Sequence, residues 1–384
     1  MEFPKKLKRK ISLREIEGSL RTLGETNNLV DFSSNDYLGF AKSKEIRLEV
    51  YEFLMKNEVD LNGATGSRLL SGNHQLYDLT EKVLCSIHNS ESALIFNSGY
   101  NANLGFFSCV PQRNDIILFD ELIHASIRDG IRLSNAQSYK FEHNNSTKLE
   151  NILQKFSSEG AFTSREIYVV TESIFSMDGD TPDLKKMLEI CESYGAYFVV
   201  DEAHAIGLSD KKELGIIQNL KLEDRIFARI LTFGKSLGCH GAVILGSNDL
   251  RTYLVNYSRS FIYTTGLAPH SLAAIWSAHK FLQGKLGELR RGQLHSNIDF
   301  FKKKVYELNL NFIESSSAIH CCIISGNQKT KEIAQNLYEN GFDVKPILSP
   351  TVTKGKERLR FCLHSYNNFD QITKVLGKLT TFVS

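Results

Sequence analysis

Ala196-Tyr197-Phe198-Val199-Val200-Asp201-Glu202-Ala203-His204 is a short apolar run that ends abruptly in two acids and a histidine. Its length and its valines read as a β-strand, and the run before it reads as a helix. Asp183 can cap that helix, Leu184, Met187, Leu188, Cys191 and Tyr194 form its apolar stripe, and Gly195 supplies the position just past its end. Helix followed by strand is the unit of an α/β sheet. Asp201 then falls where the strands of a parallel sheet open onto a ligand crevice at their carboxyl ends. On its own, a turn or capping carboxylate is the plainer reading of such an acid.

The same alternation extends in both directions. Strands are expected near Ala93-Phe96, Asp115-Phe119, Ser138-Phe141, Glu166-Thr171, Ala196-Val200, Ala228-Thr232 and Gly241-Leu245, with helical stretches between them. Seven strands fit one wide sheet covered on both faces. A long helical pattern, Ala268 to Phe281, leads into a different unit that reads as strand (Ala318-Ile324), helix (Thr330-Asn340), strand (Phe342-Ile347), strand (Arg358-His364) and helix (Phe369-Leu379). The expected division is an N-terminal segment, 1–45, a large domain, 46–266, and a linking helix with a small α+β domain, 267–384.

Composition limits the function. The 384 residues are 42% apolar and 23% charged, ordinary globular usage, and 46 basic against 44 acidic residues leave a net charge of +2. Such balance offers no broad field for a polyanion, so nucleic acid is not an expected partner. The one dense basic run, Lys5-Lys6-Leu7-Lys8-Arg9-Lys10, reads as the solvated face of a terminal helix. No apolar segment follows it as in a secretory signal, and no apolar stretch of about 18 residues suggests a membrane span. Seven scattered cysteines without a paired C-x-x-C suit a reducing cytoplasm and give no metal site.

At the end of the next strand after Asp201, Thr232-Phe233-Gly234-Lys235-Ser236-Leu237-Gly238 again places polar groups at a strand end. A lysine there can be desolvated and form an imine, although a solvated loop lysine is the plain alternative. Lysine and aspartate together change the reading. Pyridoxal-phosphate (PLP) chemistry needs an amine to bind the aldehyde and a carboxylate to keep the pyridine nitrogen protonated. A phosphate site is also needed, and Asn97-Ser98-Gly99-Tyr100-Asn101-Ala102-Asn103 is expected to open a helix whose first N–H groups suit a dianion.

Further motifs carry a resemblance. Ser34-Asn35-Asp36-Tyr37-Leu38-Gly39, Gly66-Ser67-Arg68-Leu69-Leu70-Ser71-Gly72, His124-Ala125-Ser126, Glu172-Ser173-Ile174-Phe175-Ser176-Met177-Asp178-Gly179-Asp180, Asp201 to His204 and Thr232 to Lys235 resemble, in that order, the α-oxoamine synthases. The resemblance covers nearly the whole chain and implies the fold-type-I PLP architecture, a mostly parallel seven-stranded sheet with a smaller C-terminal α+β domain. It implies that Lys235 is the Schiff-base lysine and Asp201 the pyridinium partner, that His124 stacks on the ring, and that His204 and Ser176 approach its phenolic oxygen. Ser98, Gly99, Tyr100 and Thr232 would hold the phosphate. Thr264 and Thr265 would reach the phosphate of the partner subunit, which implies a homodimer with shared sites. Arg360, with Arg358 in reserve, and Asn35 would bind the substrate.

The implied reaction is decarboxylative condensation of an amino acid with an acyl thioester, with Lys235 removing the α-proton. Gly238-Cys239-His240-Gly241-Ala242-Val243 looks like members that join L-alanine to a pimeloyl thioester on CoA or acyl carrier protein. Members using glycine and acetyl-CoA, or serine and a long-chain acyl-CoA, are alternatives, as are an aminotransferase and a non-catalytic partner subunit. One departure bears on the acyl donor: after His204 the family's closely spaced glycines are reduced to Gly207 and Gly215.

Overall fold

The structure is a computed structural model and describes residues 2–24, 27–59, 61–158, 165–208 and 214–383. Its strands are β1 (Val30–Asp31), β2 (Ser92–Phe96), β3 (Ile116–Asp120), β4 (Gln137–Phe141), β5 (Ile167–Glu172), β6 (Tyr197–Asp201), β7 (Ala228–Thr232), β8 (Ala242–Gly246), β9 (Ile319–Ile323), β10 (Phe342–Asp343), β11 (Lys345–Ile347) and β12 (Arg358–Cys362). The chain divides into two compact units, one of Leu38–Ser176 with Thr181–Gly292, the other of the residues up to Tyr37 with Met177–Asp180 and Gln293–Ser384. The N-terminal residues thus fall in the smaller unit and the helix Pro269–Gln283 in the larger.

In the larger unit seven strands form one sheet in the order β2-β8-β7-β6-β5-β3-β4. The pairs β4-β3, β3-β5, β5-β6 and β6-β7 are parallel, whereas β8 runs antiparallel to both β7 and β2. Successive side chains of a strand point to opposite faces, so an inner strand covered on both sides must be apolar throughout. In β3, Ile117 joins one core with Phe106, Phe107 and Ile127, while Ile116 and Leu118 join the other with Leu149, Leu153, Met187 and Leu188. The helices Gly99–Cys109 and Ala125–Leu133 cover the first face, and Ser146–Ser158 and Leu184–Ser193 the second. Each fully buried aliphatic side chain stabilises by about 1.5–3 kcal/mol. The edge strand β4 exposes its first four residues, as a polar edge should.

The expected capping of Leu184–Ser193 is present. Asp183 accepts from the Lys186 N–H at 3.0 Å, and Gly195 takes φ of 64°.

In the smaller unit β9, β12 and β11 form an antiparallel sheet, and β1 pairs in parallel with β10. The strand expected over Phe342-Ile347 is two strands. β10 binds β1 and β11 binds β12, because the chain changes partner at the buried Val344. A second long helix, Lys285–Glu307, follows Pro269–Gln283 and was not part of the sequence expectation. Its buried apolar side chains, Leu294, Ile298 and Phe301, are few among many charges, and the buried Arg291 and Asn297 are polar, which hides its period. The basic run lies in the helix Lys5–Ile16, which buries no residue. Among the described residues no helix is long and apolar enough to cross a membrane.

Candidate active site

Parallel pairing puts the ends of β5, β6 and β7 at one edge of the sheet, and Glu172, Asp201 and Thr232 are their last residues. Asp201 is buried. Its Oδ2 accepts from Asn103 Nδ2 at 2.8 Å and its Oδ1 from the Ala203 N–H at 2.9 Å. A carboxylate offers about four acceptor positions, so two protein donors leave room for another. Asn103, itself buried, also donates to Ser126 Oγ at 3.0 Å. Ser126 Oγ lies 2.7 Å from Nδ1 of His124, which caps the helix Ala125–Leu133. The His124 N–H donates to Glu172 Oε1 at 2.5 Å.

Lys235, half-buried, stands in the turn of residues 233–241 between β7 and β8. Gly238, at φ of 60°, closes the turn by donating its N–H to the Lys235 carbonyl at 2.8 Å. The charge of Lys235 reaches both neighbours. Burial pushes the Glu172 carboxyl well above its usual range, with Asp201 raising it further and Lys235 opposing. Burial lowers the His124 imidazole, Asp201 opposes this, and Lys235 lowers it more. A buried, cationic and anionic cluster of this kind marks a functional site.

Ser98 caps the helix Gly99–Cys109 and accepts from the Asn101 N–H at 3.1 Å. The Ala102 N–H bonds back to the Ser98 carbonyl at 3.0 Å. No helical carbonyl is available to Gly99 and Tyr100 in that first turn, where N–H groups favour an anion. A Cβ on Gly99 would lie 3.5 Å from the Thr232 side chain, so the first turn of the helix and the threonine stand beside each other. Phosphate cradle, buried carboxylate and lysine all lie at the same sheet edge, and this donor set fits PLP. Ser98, Gly99, Tyr100 and Thr232 would hold its phosphate, Asp201 its ring nitrogen and Lys235 its aldehyde carbon.

Ser176 is half-buried just beyond β5, and His204 is buried three residues past Asp201. Tyr100 is exposed, and its hydroxyl bonds to Asp129. Thr264 Oγ1 and the Thr265 carbonyl both accept from Asn97 Nδ2 of their own chain, at 3.2 and 2.6 Å. Asn35 and Arg360 come together in the smaller unit, where Arg360 Nη2 donates to Asn35 Oδ1 at 2.9 Å. Arg358, the reserve candidate, is ion-paired with Asp178 and donates to the Met177 carbonyl at 3.1 Å. Of the glycine-poor loop, Ser209 to Glu213 lie outside the described residues.

Sequence reasoning assigned no role to Asn103, Ser126, Glu172 or Asp129. Asn103 and Glu172 carried a signal, since each is a polar residue at a position where the periodicity of its element calls for burial.

Residues 27–376 match the family model described as aminotransferase class I and II. A curated relative from Emericella nidulans, "8-amino-7-oxononanoate synthase", is 38% identical over 92% of this chain and 89% of its own length. A solved 8-amino-7-oxononanoate synthase from Francisella tularensis is similar with a TM-score of 0.77 and 27% identity, covering 93% of this chain and 98% of that one. Serine palmitoyltransferase from Sphingomonas wittichii shares the fold with a TM-score of 0.89 at 24% identity, over 100% of this chain and 98% of that one. The chain belongs to the class I and II aminotransferase family and, within it, to the α-oxoamine synthases of fold type I. It is a PLP-dependent C-acyltransferase.

Proposed function

We propose that the chain condenses L-alanine with a pimeloyl thioester, on CoA or acyl carrier protein, releasing CO2 and the thiol to give 8-amino-7-oxononanoate. The general reaction is that of its family. The choice of substrates is supported by one observation, the 38% identity with a relative of that name over 92% of the chain.

In this reading the residues divide the work. PLP, when bound, supplies an electron sink for the charge left on the substrate α-carbon. Lys235 Nζ would hold the cofactor and, as general base, would take the α-proton of the substrate. Asp201 would keep the ring nitrogen charged, and His124, whose imidazole burial drives toward the neutral form, would pack on the ring. Ser176 and His204 donate near the phenolic oxygen, and Arg360 with Asn35 takes the amino-acid carboxylate, a task that suits a guanidinium fork. Two chains form a homodimer in the cytoplasm, and Thr264 and Thr265 contribute to the partner's phosphate site. Seven cysteines, none of them in a disulfide, accord with that compartment.

The test is release of free thiol across alanine, glycine and serine, each paired with pimeloyl-CoA, acetyl-CoA and palmitoyl-CoA. Release with alanine and pimeloyl-CoA alone is expected. Strong release with glycine and acetyl-CoA, or with serine and palmitoyl-CoA, overturns the substrate assignment.

A further inference from the structure

Asn103 is a neutral residue at the centre of the charged cluster, and its contacts fix the direction of every hydrogen bond around it. Its Nδ2 carries two hydrogens, which go to Asp201 Oδ2 at 2.8 Å and Ser126 Oγ at 3.0 Å. The opposite orientation would set the amide oxygen against a carboxylate, so the chemistry admits only this one. Ser126 Oγ accepts that hydrogen and has a single hydrogen of its own. Its other neighbour is His124 Nδ1 at 2.7 Å, where the Ser126 N–H also points at 3.2 Å. Nδ1 is therefore an acceptor, and the imidazole proton resides on Nε2. The Asn103 side-chain oxygen, meanwhile, is buried with no hydrogen-bond partner. A buried acceptor left unsatisfied destabilises the fold, so the amide is held there for what its nitrogen does.

We propose that Asn103 is a positioning residue that acts on two cofactor contacts at once: it fixes the carboxylate plane of Asp201 directly, and by orienting the Ser126 hydroxyl it reinforces the Nδ1-acceptor tautomer of His124, which the Ser126 N–H also favours, and holds the ring's orientation. This inference rests on the assignment of Asp201 and His124 to the cofactor ring. The chain Asn103 N–H to Ser126 O–H to His124 Nδ1 transmits direction only and transfers no proton. An apolar side chain would leave the Asp201 oxygen and the serine hydroxyl to reorient. An aspartate would place a second carboxylate against the first.

The experiment uses the full-length holoprotein and the variants Asn103→Ala, Asn103→Ser and Ser126→Ala. Three readouts are followed: the rate of PLP release, the pH dependence of the yellow absorption band, and the ring-nitrogen shifts of His124 with 15N-labelled histidine. Asn103→Ala is expected to speed PLP release roughly ten- to a hundredfold, the range for a lost hydrogen bond to a charged group. It should also displace the pH at which the band changes. Ser126→Ala should reproduce the His124 change while leaving PLP release within about threefold, since it cuts one arm alone. Asn103→Ser, with one donor, should fall between.

A merely structural asparagine would lower the melting temperature and leave the titration of the band and the His124 tautomer as in the parent. That result overturns the proposal, as does a His124 proton on Nδ1. Should Asn103→Ala not fold, the Ser126→Ala comparison decides the histidine arm and Asn103→Ser the aspartate arm. Failure of the cofactor assignment looks different, because the parent protein itself would then take up no PLP and show no yellow band.

Discussion

Glu172 and Asp201 stand directly beside each other in register at the ends of β5 and β6, two buried carboxyl groups on neighbouring strands. They are not equivalent. Asp201 receives a side-chain amide and a backbone N–H, whereas burial and the charge of Asp201 drive Glu172 toward its neutral form. A glutamic acid driven toward the neutral form, and accepting the His124 N–H, is closely mimicked by glutamine. Glu172→Gln is expected to keep activity within about tenfold and the melting temperature within a few degrees. Asp201→Asn should lower kcat by about 10²-fold or more, the scale of losing a fixed charge at the reacting centre. Steady-state kinetics of the two variants side by side checks the asymmetry, and equal losses would contradict it.

Replacement of Lys235 tests the amine directly. Lys235→Ala is expected to bind PLP without the covalent link, to resist labelling by borohydride at that position, and to lose about 10²–10⁴-fold in kcat for want of its base. Mass spectrometry of the reduced parent should place the pyridoxyl group on Lys235. A label on another lysine would falsify the assignment.

The lysine turn depends on a left-handed residue. A Cβ at Gly238 would come within 2.2 Å of the Ala41 backbone nitrogen at a φ of +60°. Gly238→Ala is expected to destabilise by about 2–4 kcal/mol, combining the left-handed conformation with overpacking against backbone. It should also weaken PLP binding, because the same turn carries Lys235. Thermal unfolding of the apo and holo forms separates the two effects.

Acid should unfold the protein through histidines that burial keeps neutral. Burial lowers His279 to about 4 and His320 to about 3, and pushes His88 well below its usual value. Between the unfolded value of 6.5 and these folded values, the unfolded chain binds more protons, so stability rises with pH in that window. It is complete above about 6.5 and is lost as pH falls toward 4, by about 1.4 kcal/mol per unit for each group. Glu172 and Glu202, raised by burial, act in the opposite sense: their contribution is present below the usual carboxylate range and lost as pH rises. Urea midpoints at pH 7, 6 and 5 are compared for the parent and His279→Gln, and between pH 6 and 5 the parent is expected to lose more stability than the variant, by up to about 1.4 kcal/mol.

Most of the sheet was legible because buried strands and amphipathic helices differ in period. Asp201 and Lys235 were legible because they stand where apolar runs stop. The role of Asn103 was not, although a polar residue at a buried helix position is a signal, since its partners come from β6 and from the helix after β3, far off in sequence. The division of Phe342-Ile347 into two strands likewise depends on which distant strand each half meets. Leu294, Ile298 and Phe301 are too thinly spread among charges to announce the helix Lys285–Glu307.

The reversed strand β8 has a consequence for how the site can change. A parallel partner after β7 would have required a crossover of a dozen or more residues. Reversal lets the chain return through residues 233–241, with both ends of that loop stitched together by the Phe233 N–H to the Gly241 carbonyl and the Cys239 N–H to the Phe233 carbonyl. The lysine is thus mounted on a bracket bolted at two points, with no slack to absorb an insertion. Divergence toward other acyl chains can exchange side chains within this loop, but changes of length have to fall on other loops.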